Sequence, residues 1–369
     1  MKNKTTLLIK NELNLNASRS KFLILILSAM MLSGVACLWK LASYIDSQAK
    51  TSSVYRSLQR FMAQVRFHPP NLARLILRLL NCHNQKLLLI FDRTNFKVGS
   101  THINLLVLSF AYHNMAIPLV WINLANRQKQ GNSAIEDRWK LLNIVIELIG
   151  KNNIWAVLGD REFLGKKWIE SLKSSKIAYC MRLKEEWQCI VCDQASKPLI
   201  EFLKEGSDEA QALGCVKIGV NDRYVTMITG KRLSKREAVM VAHSEAIGPA
   251  TELYRVRWQI EHLFKATKTS GFNFESTGLK KEERVETLFA CIALTLVLAV
   301  AQGQILHTKK PIPQKKHGYL TLSIFRNGLN RLRNLMVKNR LKFYQFIKKL
   351  FFSNFKALRP PDFSQFFVM

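Results

Sequence analysis

Tyr254-Arg-Val-Arg-Trp-Gln-Ile-Glu-His-Leu-Phe-Lys-Ala-Thr-Lys268 is the stretch on which the reading of this 369-residue chain turns. It holds no Gly or Pro, so its local state is predicted to be helical. At about 100° per residue, Tyr254, Arg257, Glu261 and Lys268 fall within roughly 60° of one another. Beside them Leu253, Val256, Ile260, Leu263 and Phe264 make a contiguous apolar arc, so the helix can bury one flank and present the other to a cleft. Taken alone, the stretch reads equally as a solvated helix held by i,i+4 pairs, Arg257 to Glu261 and Glu261 to Lys265. What separates the two readings lies upstream.

Lys86-Leu-Leu-Leu-Ile-Phe-Asp92 is a short apolar run ending in an acid and predicts a buried strand. Two further strand-like runs, 104–113 and 116–122, meet at His113-Asn114 with the spacing of a hairpin meander. Pro118 marks the third run as an edge strand. Helical periodicity covers 134–149, with Trp139, Leu142, Ile146 and Ile149 on one side. Ile154-Trp-Ala-Val-Leu-Gly-Asp160 is another apolar strand tipped by Asp, 166–172 begins a helix, and 177–183 is a fifth strand. From Lys184 to about Ser244 the chain turns β-rich, with Cys215–Asn221 and Tyr224–Thr229 flanking an Asn-Asp-Arg turn and a further strand at 238–242. A strand-end Asp is commonly a turn former. Two of them, with Glu261 on a late helix, also match a two-metal site, in which carboxylates hold hard cations such as Mg²⁺ or Mn²⁺ about 4 Å apart for phosphodiester chemistry.

The charge balance supports that chemistry. Lys and Arg number 56 against 26 Asp and Glu, a net charge of +30, which implies a polyanionic partner, nucleic acid before an anionic membrane surface. The 48% hydrophobic content is ample for a core. Seven scattered cysteines exclude a regular disulfide scaffold and fit a reducing cytoplasm. Cys189 and Cys192 form a CxxC, but no second pair follows at zinc-ribbon spacing and no βαβ unit surrounds it. Phe22–Trp39 and Thr287–Gly303 are charge-free runs of borderline spanning length, read as buried helices rather than membrane spans. Pro69-Pro70 is read as punctuation ending an N-terminal helical module. Past Gln304 basic residues dominate, and Leu341–Phe355 is read as an amphipathic helix seeking a partner.

The β-β-β-α-β-α-β order with Asp92, Asp160 and Glu261 resembles the RNase H-like core of DDE transposases. More specifically, Tyr254-x2-Arg257-x3-Glu261-x6-Lys268 is similar at all four positions and all three spacings to the YREK motif of the insertion sequence 4 family of bacterial transposases. Gly159-Asp160-Arg161-Glu162-Phe163 resembles that family's second-Asp motif, and the β-rich segment resembles its insertion domain. The resemblance covers roughly 20–305. It implies an α/β fold: an RNase H-like mixed sheet with flanking helices, interrupted by a β-rich insertion, with helical N- and C-terminal regions. The corresponding division is a helical DNA-binding region at 1–80, catalytic core at 81–183 and 247–305, insertion at 184–246, and a basic helical region at 306–369.

The same resemblance implies that Asp92, Asp160 and Glu261 hold two Mg²⁺ ions, with Mn²⁺ able to substitute, and that Tyr254, Arg257 and Lys268 contact backbone phosphates without reading bases. It implies metal-dependent cleavage and strand transfer at transposon ends, on double-stranded DNA carrying terminal inverted repeats and on target DNA. A homodimer pairing two ends, acting in the cytoplasm on nucleoid DNA and not at a membrane, completes the expectation. The alternative is a DNA-binding protein derived from a transposase and without turnover. His102, His113 and His262 are expected near the site as structural or phosphate-contacting groups. Trp187, Trp258 or Tyr224 are read as core residues or, if a base is flipped, as its aromatic pocket.

Overall fold

The five apolar residues Leu87–Phe91 have no exposed face, as a central strand of a sheet covered on both sides requires. The computed structural model describes residues 2–124, 133–191, 195–207, 209–218, 224–234, 237–268, 271–316, 318, 320–352 and 358–368. In it β1 (Leu87–Val98), β2 (Thr101–Tyr112) and β3 (Met115–Asn123) form an antiparallel meander. The β2–β3 turn places His113 at φ +52°, in the left-handed region. Pro118 does lie on an edge strand, at a register shift where β2 passes from Leu108 to Ser109, so its missing N–H removes no central ladder bond.

Parallel strands β4 (Ile154–Gly159) and β5 (Tyr179–Arg182) continue the sheet on the other side of β1. The helices α6 (Ile135–Ile149) and α7 (Lys166–Ser174) supply the crossovers such pairing needs. Strands β6 (Gln188–Val191), β7 (Lys197–Pro198), β8 (Gln211–Ile218), β9 (Tyr224–Arg232) and β10 (Ala238–His243) come from the β-rich segment. They form no separate sheet: β10 pairs with β5, giving one ten-stranded mixed sheet in the order β3-β2-β1-β4-β5-β10-β9-β8-β6-β7. The expected Asn221-Asp222-Arg223 turn and Cys192 of the CxxC lie outside the described residues; Cys189 is buried on β6.

Ahead of the sheet come α1 (Lys2–Leu13), α2 (Ala17–Ser33), α3 (Leu38–Tyr44), α4 (Thr51–Gln64) and α5 (Pro69–Leu79). The Pro69-Pro70 pair opens α5 instead of closing a module, because proline suits a first turn whose N–H groups have no intrahelical acceptor. The apolar run 22–39 is not one straight helix. Gly34, at φ +69°, caps α2, and α3 leaves at 97°.

After the sheet come α8 (Ala250–Arg255), a 3-10 turn at Val256–Trp258, α9 (Gln259–Thr267) and the 28-residue α10 (Glu282–Lys309). α10 has the length and apolarity of a membrane span, but its whole apolar window is buried inside the protein. It packs against α2, α4, α5 and β3, joining the N-terminal helices to the sheet. Against it lies α11 (Ile324–Lys338). The two helices approach so closely that a Cβ at Gly328 would stand 1.8 Å from the Ala299 carbonyl oxygen, and one at Gly303 2.0 Å from that of Ile324. The final helix, α12 (Arg340–Phe352), finds its partner within the chain: Phe343, Ile347 and Leu350 are buried, and it packs on α1, α5 and α11.

Candidate functional site

β1 and β4 run parallel and are paired up to Phe91↔Gly159, so the next residue of each, Asp92 and Asp160, emerges at the same end of neighbouring strands. Gly159 is held close against β5, where a Cβ would meet Met181 Sδ and Phe163 Cβ at 2.8 Å, which fixes where Asp160 leaves the sheet. Asp92 itself is not a strand end: β1 continues to Val98 because β2 still pairs it, Asp92 opposite Val107 and Asn95 opposite Asn104. The acid therefore sits mid-strand, where parallel pairing to β4 stops and antiparallel pairing to β2 goes on.

The third acid arrives on α9. The path from Ala250 to Thr267 is helical throughout but tightens into the 3-10 turn around Arg257, and Lys268 closes it as the C-cap. Gln259 Oε1 accepts from the Tyr112 N–H at 3.1 Å and His262 Nδ1 contacts the Asn114 carbonyl at 2.7 Å, so both anchor the helix to β2 and its turn. Arg257, 8% exposed, then reaches Asp92 Oδ2 at 3.1 Å through Nη1 and Glu261 Oε1 at 2.6 Å through Nη2. Its guanidinium lies between the two carboxylates. Tyr254 is buried, its hydroxyl 3.5 Å from Asp160 Oδ1 and its ring 5.7 Å from the Arg257 guanidinium.

The electrostatics follow from that packing. Burial pushes the Asp92 carboxyl up to about 6, against the pull of Arg257 and the Arg93 N–H at 2.7 Å, while Asp160 and Glu162 raise it further. Burial works against charge on Arg257, but Tyr254, Asp92, Asp160 and Glu261 outweigh it and raise the pKa. Burial raises the Tyr254 phenol as well, keeping it a hydrogen-bond donor. Lys268 Nζ lies 3.2 Å from the carbonyl of Asn95, three residues beyond Asp92 on β1, and 2.9 Å from Glu275 Oε1.

The chemistry of this donor set fits a divalent cation. All three acids offer hard oxygen ligands, and the Asp92 carboxyl, half-buried beside Arg257, is held above its ordinary range by burial. The spacing is that of a site closed on an arginine: among the described residues no three acid, histidine or cysteine side chains converge as a cage. Glu261, 58% exposed, stands across Arg257 from Asp92.

Of the other expected residues, His102 pairs in register with Lys97, five residues beyond Asp92 on β1, and His113 lies in the turn at the opposite end of β2. Five residues of strand span roughly 17 Å, so neither is beside the acids. His113 contacts the Arg359 carbonyl at 3.0 Å. Tyr224 is buried on β9, Trp187 is half-buried, and Trp258 is 51% exposed one residue after Arg257.

The sequence reading missed the ion pair beneath the acids. Arg93 Nε lies 2.6 and 2.7 Å from the two carboxylate oxygens of Glu162, and its Nη2 also contacts Oε2. Arg138, buried on α6, donates to the Glu162 carbonyl at 2.9 Å and lies over the rings of Phe163 and Trp168. Arg93 follows Asp92 by one residue and Glu162 follows Asp160 by two, so the pair ties the middle of β1 to the turn after β4 next to the acids. The signal was present in the charges neighbouring each Asp, but nothing in one sequence says that they face each other.

Asp92 from within β1, Asp160 just past β4 and Glu261 on a late helix, linked through Arg257 and Tyr254 at one side of a mixed sheet, mark an α/β protein whose strongly basic composition suits a polyanionic partner. The match to known proteins is narrower: residues 83–298, well over half of the chain, fit the model of the Transposase DDE domain, and the chain belongs to that family. Family membership implies transposase activity and DNA as the substrate. The match begins just before β1 and ends within α10, so it contains Asp92, Asp160, Glu261 and Lys268 and leaves out α1–α5 and α11–α12. No curated protein matches the chain.

Proposed function

We propose that the protein is an insertion sequence 4-type transposase that cleaves DNA at transposon ends and joins them to a target in a divalent-metal-dependent reaction. The observation that carries this reading is the Arg257 fork, which brings Asp92 and Glu261 to one place at the end of the sheet beside Asp160. The order β3-β2-β1-β4-β5, with the first three strands antiparallel and the last two parallel, supports an RNase H-like core. The YREK spacing supports the subfamily, and the strands between Asp160 and Glu261 support its insertion.

On this reading Asp92, Asp160 and Glu261 are the metal-holding carboxylates. A pair of Mg²⁺ or Mn²⁺ ions held by these carboxylates would supply Lewis acidity toward the oxygens of the phosphodiester. Arg257 is the counter-ion of the DNA-free protein and turns from the carboxylates to a backbone phosphate when the substrate arrives. Lys268 exchanges Glu275 for a phosphate in the same way. Tyr254 keeps its proton and holds Asp160 in place. Two copies pair two terminal inverted repeats, and the reaction belongs to the cytoplasm and its nucleoid DNA.

The test is Mg²⁺-dependent nicking of linear DNA carrying candidate terminal inverted repeats, with Glu261→Gln as control. Nicks at the repeat boundary that the variant fails to make are the expected result. Equal nicking by both proteins removes Glu261 from the site, and binding without nicking by the wild type favours the inactive, DNA-binding alternative.

A further inference from the structure

Two histidines, a lysine and an arginine surround one cavity that contains none of the three acids. Its volume is about 650 Å³, inside the roughly 300–1,000 Å³ range of small-molecule sites. His113 of the β2–β3 turn, His262 and Lys265 of α9 and Arg326 of α11 line it, and among the described residues no Asp or Glu does. Lys265 is exposed and forms no ion pair among the described residues. Val300 and the lining residues after it lie beyond the stretch that matches the family.

Backbone carbonyls orient the histidines. His113 Nε2 meets the Arg359 carbonyl at 3.0 Å and His262 Nδ1 the Asn114 carbonyl at 2.7 Å. A carbonyl only accepts, so those nitrogens carry protons, and the other ring nitrogen of each has no partner among the described residues. Four groups that are cationic or can become so, with no acid lining the cavity, suit a phosphate held by charge-assisted hydrogen bonds. An open basic surface would hold a phosphate equally well. Here the cations border a cavity with apolar walls, where Met115, Val300 and Phe325 are buried. Its outer side is tied: Gln314 bridges to Leu320, and the Thr321 N–H donates to the Pro313 carbonyl at 2.8 Å.

Gln304 bears on the rest of the ligand. One turn along α10 from Val300, it lines the same cavity, and its Oε1 is buried with no hydrogen-bond partner among the described residues. Folded proteins leave few such atoms unpaired. The amide can turn about its last bond and then offers a donor and an acceptor side by side to the cavity. That pair matches the N6 and N7 edge of adenine, which a Gln holds through two hydrogen bonds. The apolar walls suit the faces of the base.

We propose that this cavity binds an adenine nucleotide, with Gln304 on the base edge and Lys265 and Arg326 on the phosphate. The occupant would join α9, which carries Glu261, to the β2–β3 turn and to α10. Binding there needs neither a divalent ion nor cleavage.

The full chain is titrated calorimetrically with AMP, adenosine, GMP and inorganic phosphate, with a chelator present. AMP should saturate with a Kd below about 1 mM, about tenfold tighter than adenosine, GMP or phosphate. Lys265→Ala, on an exposed position, should lose about tenfold for AMP and nothing for adenosine. Gln304→Leu should lose about tenfold for AMP and bring it level with GMP. Without ligand this variant should be at least as stable as wild type, since it removes a buried group that has no partner. If Gln304→Leu does not fold, the AMP-over-GMP preference of the wild type and the Lys265→Ala titration decide in its place. A wild type that does not bind AMP, AMP bound no better than inorganic phosphate, or AMP affinity unchanged in both variants overturns the proposal. So does a single-stranded oligonucleotide that binds in a Gln304-dependent way while AMP does not, since the site would then take a base within DNA and not a free nucleotide.

Discussion

Replacing Asp92 by Asn should make the metal-free protein more stable near pH 8. The folded environment raises the Asp92 carboxyl from its ordinary 3.8 to about 6, so the fold prefers the neutral form, and at 1.36 kcal/mol per pH unit the ionised side chain costs about 3 kcal/mol. Because this acid's folded pKa lies above its unfolded one, the cost is fully present above about pH 6, fades as pH falls toward 3.8, and is gone below that. Asn mimics the neutral carboxyl at the same size. The side chain is 20% exposed and solvent screens part of the effect, so the figure is an upper bound. Urea unfolding of both proteins with a chelator present, near pH 8 and again near pH 4, measures the gap. A gain of about 1–3 kcal/mol that closes at the lower pH is expected. An Asp92→Asn variant less stable than wild type at pH 8, or a gap unchanged across that range, would show that Arg257 already offsets the burial of this charge.

Arg257→Ala should act in the opposite direction, destabilising most above pH 6 and least in acid, since it removes the group that lowers the Asp92 pKa; pH-resolved unfolding showing no such trend refutes the counter-ion role. Glu162→Gln should cost about 2–3 kcal/mol by leaving the largely buried Arg93 guanidinium without its carboxylate and removing the negative charge that favours the buried Arg138, and a loss below about 0.5 kcal/mol would make the pair a surface contact. Gly328→Ala drives a Cβ into the Ala299 carbonyl and should lower stability by about 3 kcal/mol or more; a Tm within about 1 °C of wild type would mean that α10 and α11 part without cost.

Period and punctuation made most of the sheet legible. The meander, the edge position of Pro118 and the Asp160-tipped strand all follow from apolar runs bounded by turn residues. Three things were not legible, each because a tertiary partner decides it. β1 continues through Asp92 because β2 pairs its second half, which no local preference of Asp-Arg-Thr-Asn would predict. The β-rich segment joins the main sheet because β10 finds the free edge of β5. The amphipathic α12 is covered from within, by α1, α5 and α11. In the candidate site, helix geometry placed Tyr254, Arg257, Glu261 and Lys268 on one stripe. It could not show that the arginine points inward to two carboxylates rather than outward to phosphates.

That inward arginine has a thermodynamic consequence for the proposed reaction. Asp92 and Asp160 are held by paired strands and by the Arg93–Glu162 pair behind them, whereas Glu261 is largely solvent-exposed and reaches the other acids only through Arg257. A cation entering between Asp92 and Glu261 competes with the guanidinium, and a phosphate competes with the carboxylates for it. Each ligand therefore removes the obstacle to the other, and binding of the two must be reciprocally coupled. Mg²⁺ should bind more tightly to the DNA complex than to the free protein, and DNA more tightly with Mg²⁺ or Ca²⁺ present, by the same factor. In the Arg257→Ala variant the free protein should bind the ion nearly as well as its DNA complex does. Calorimetric titration of metal into both forms measures that factor, and a coupling that survives Arg257→Ala unchanged would show that the exchange does not run through this residue.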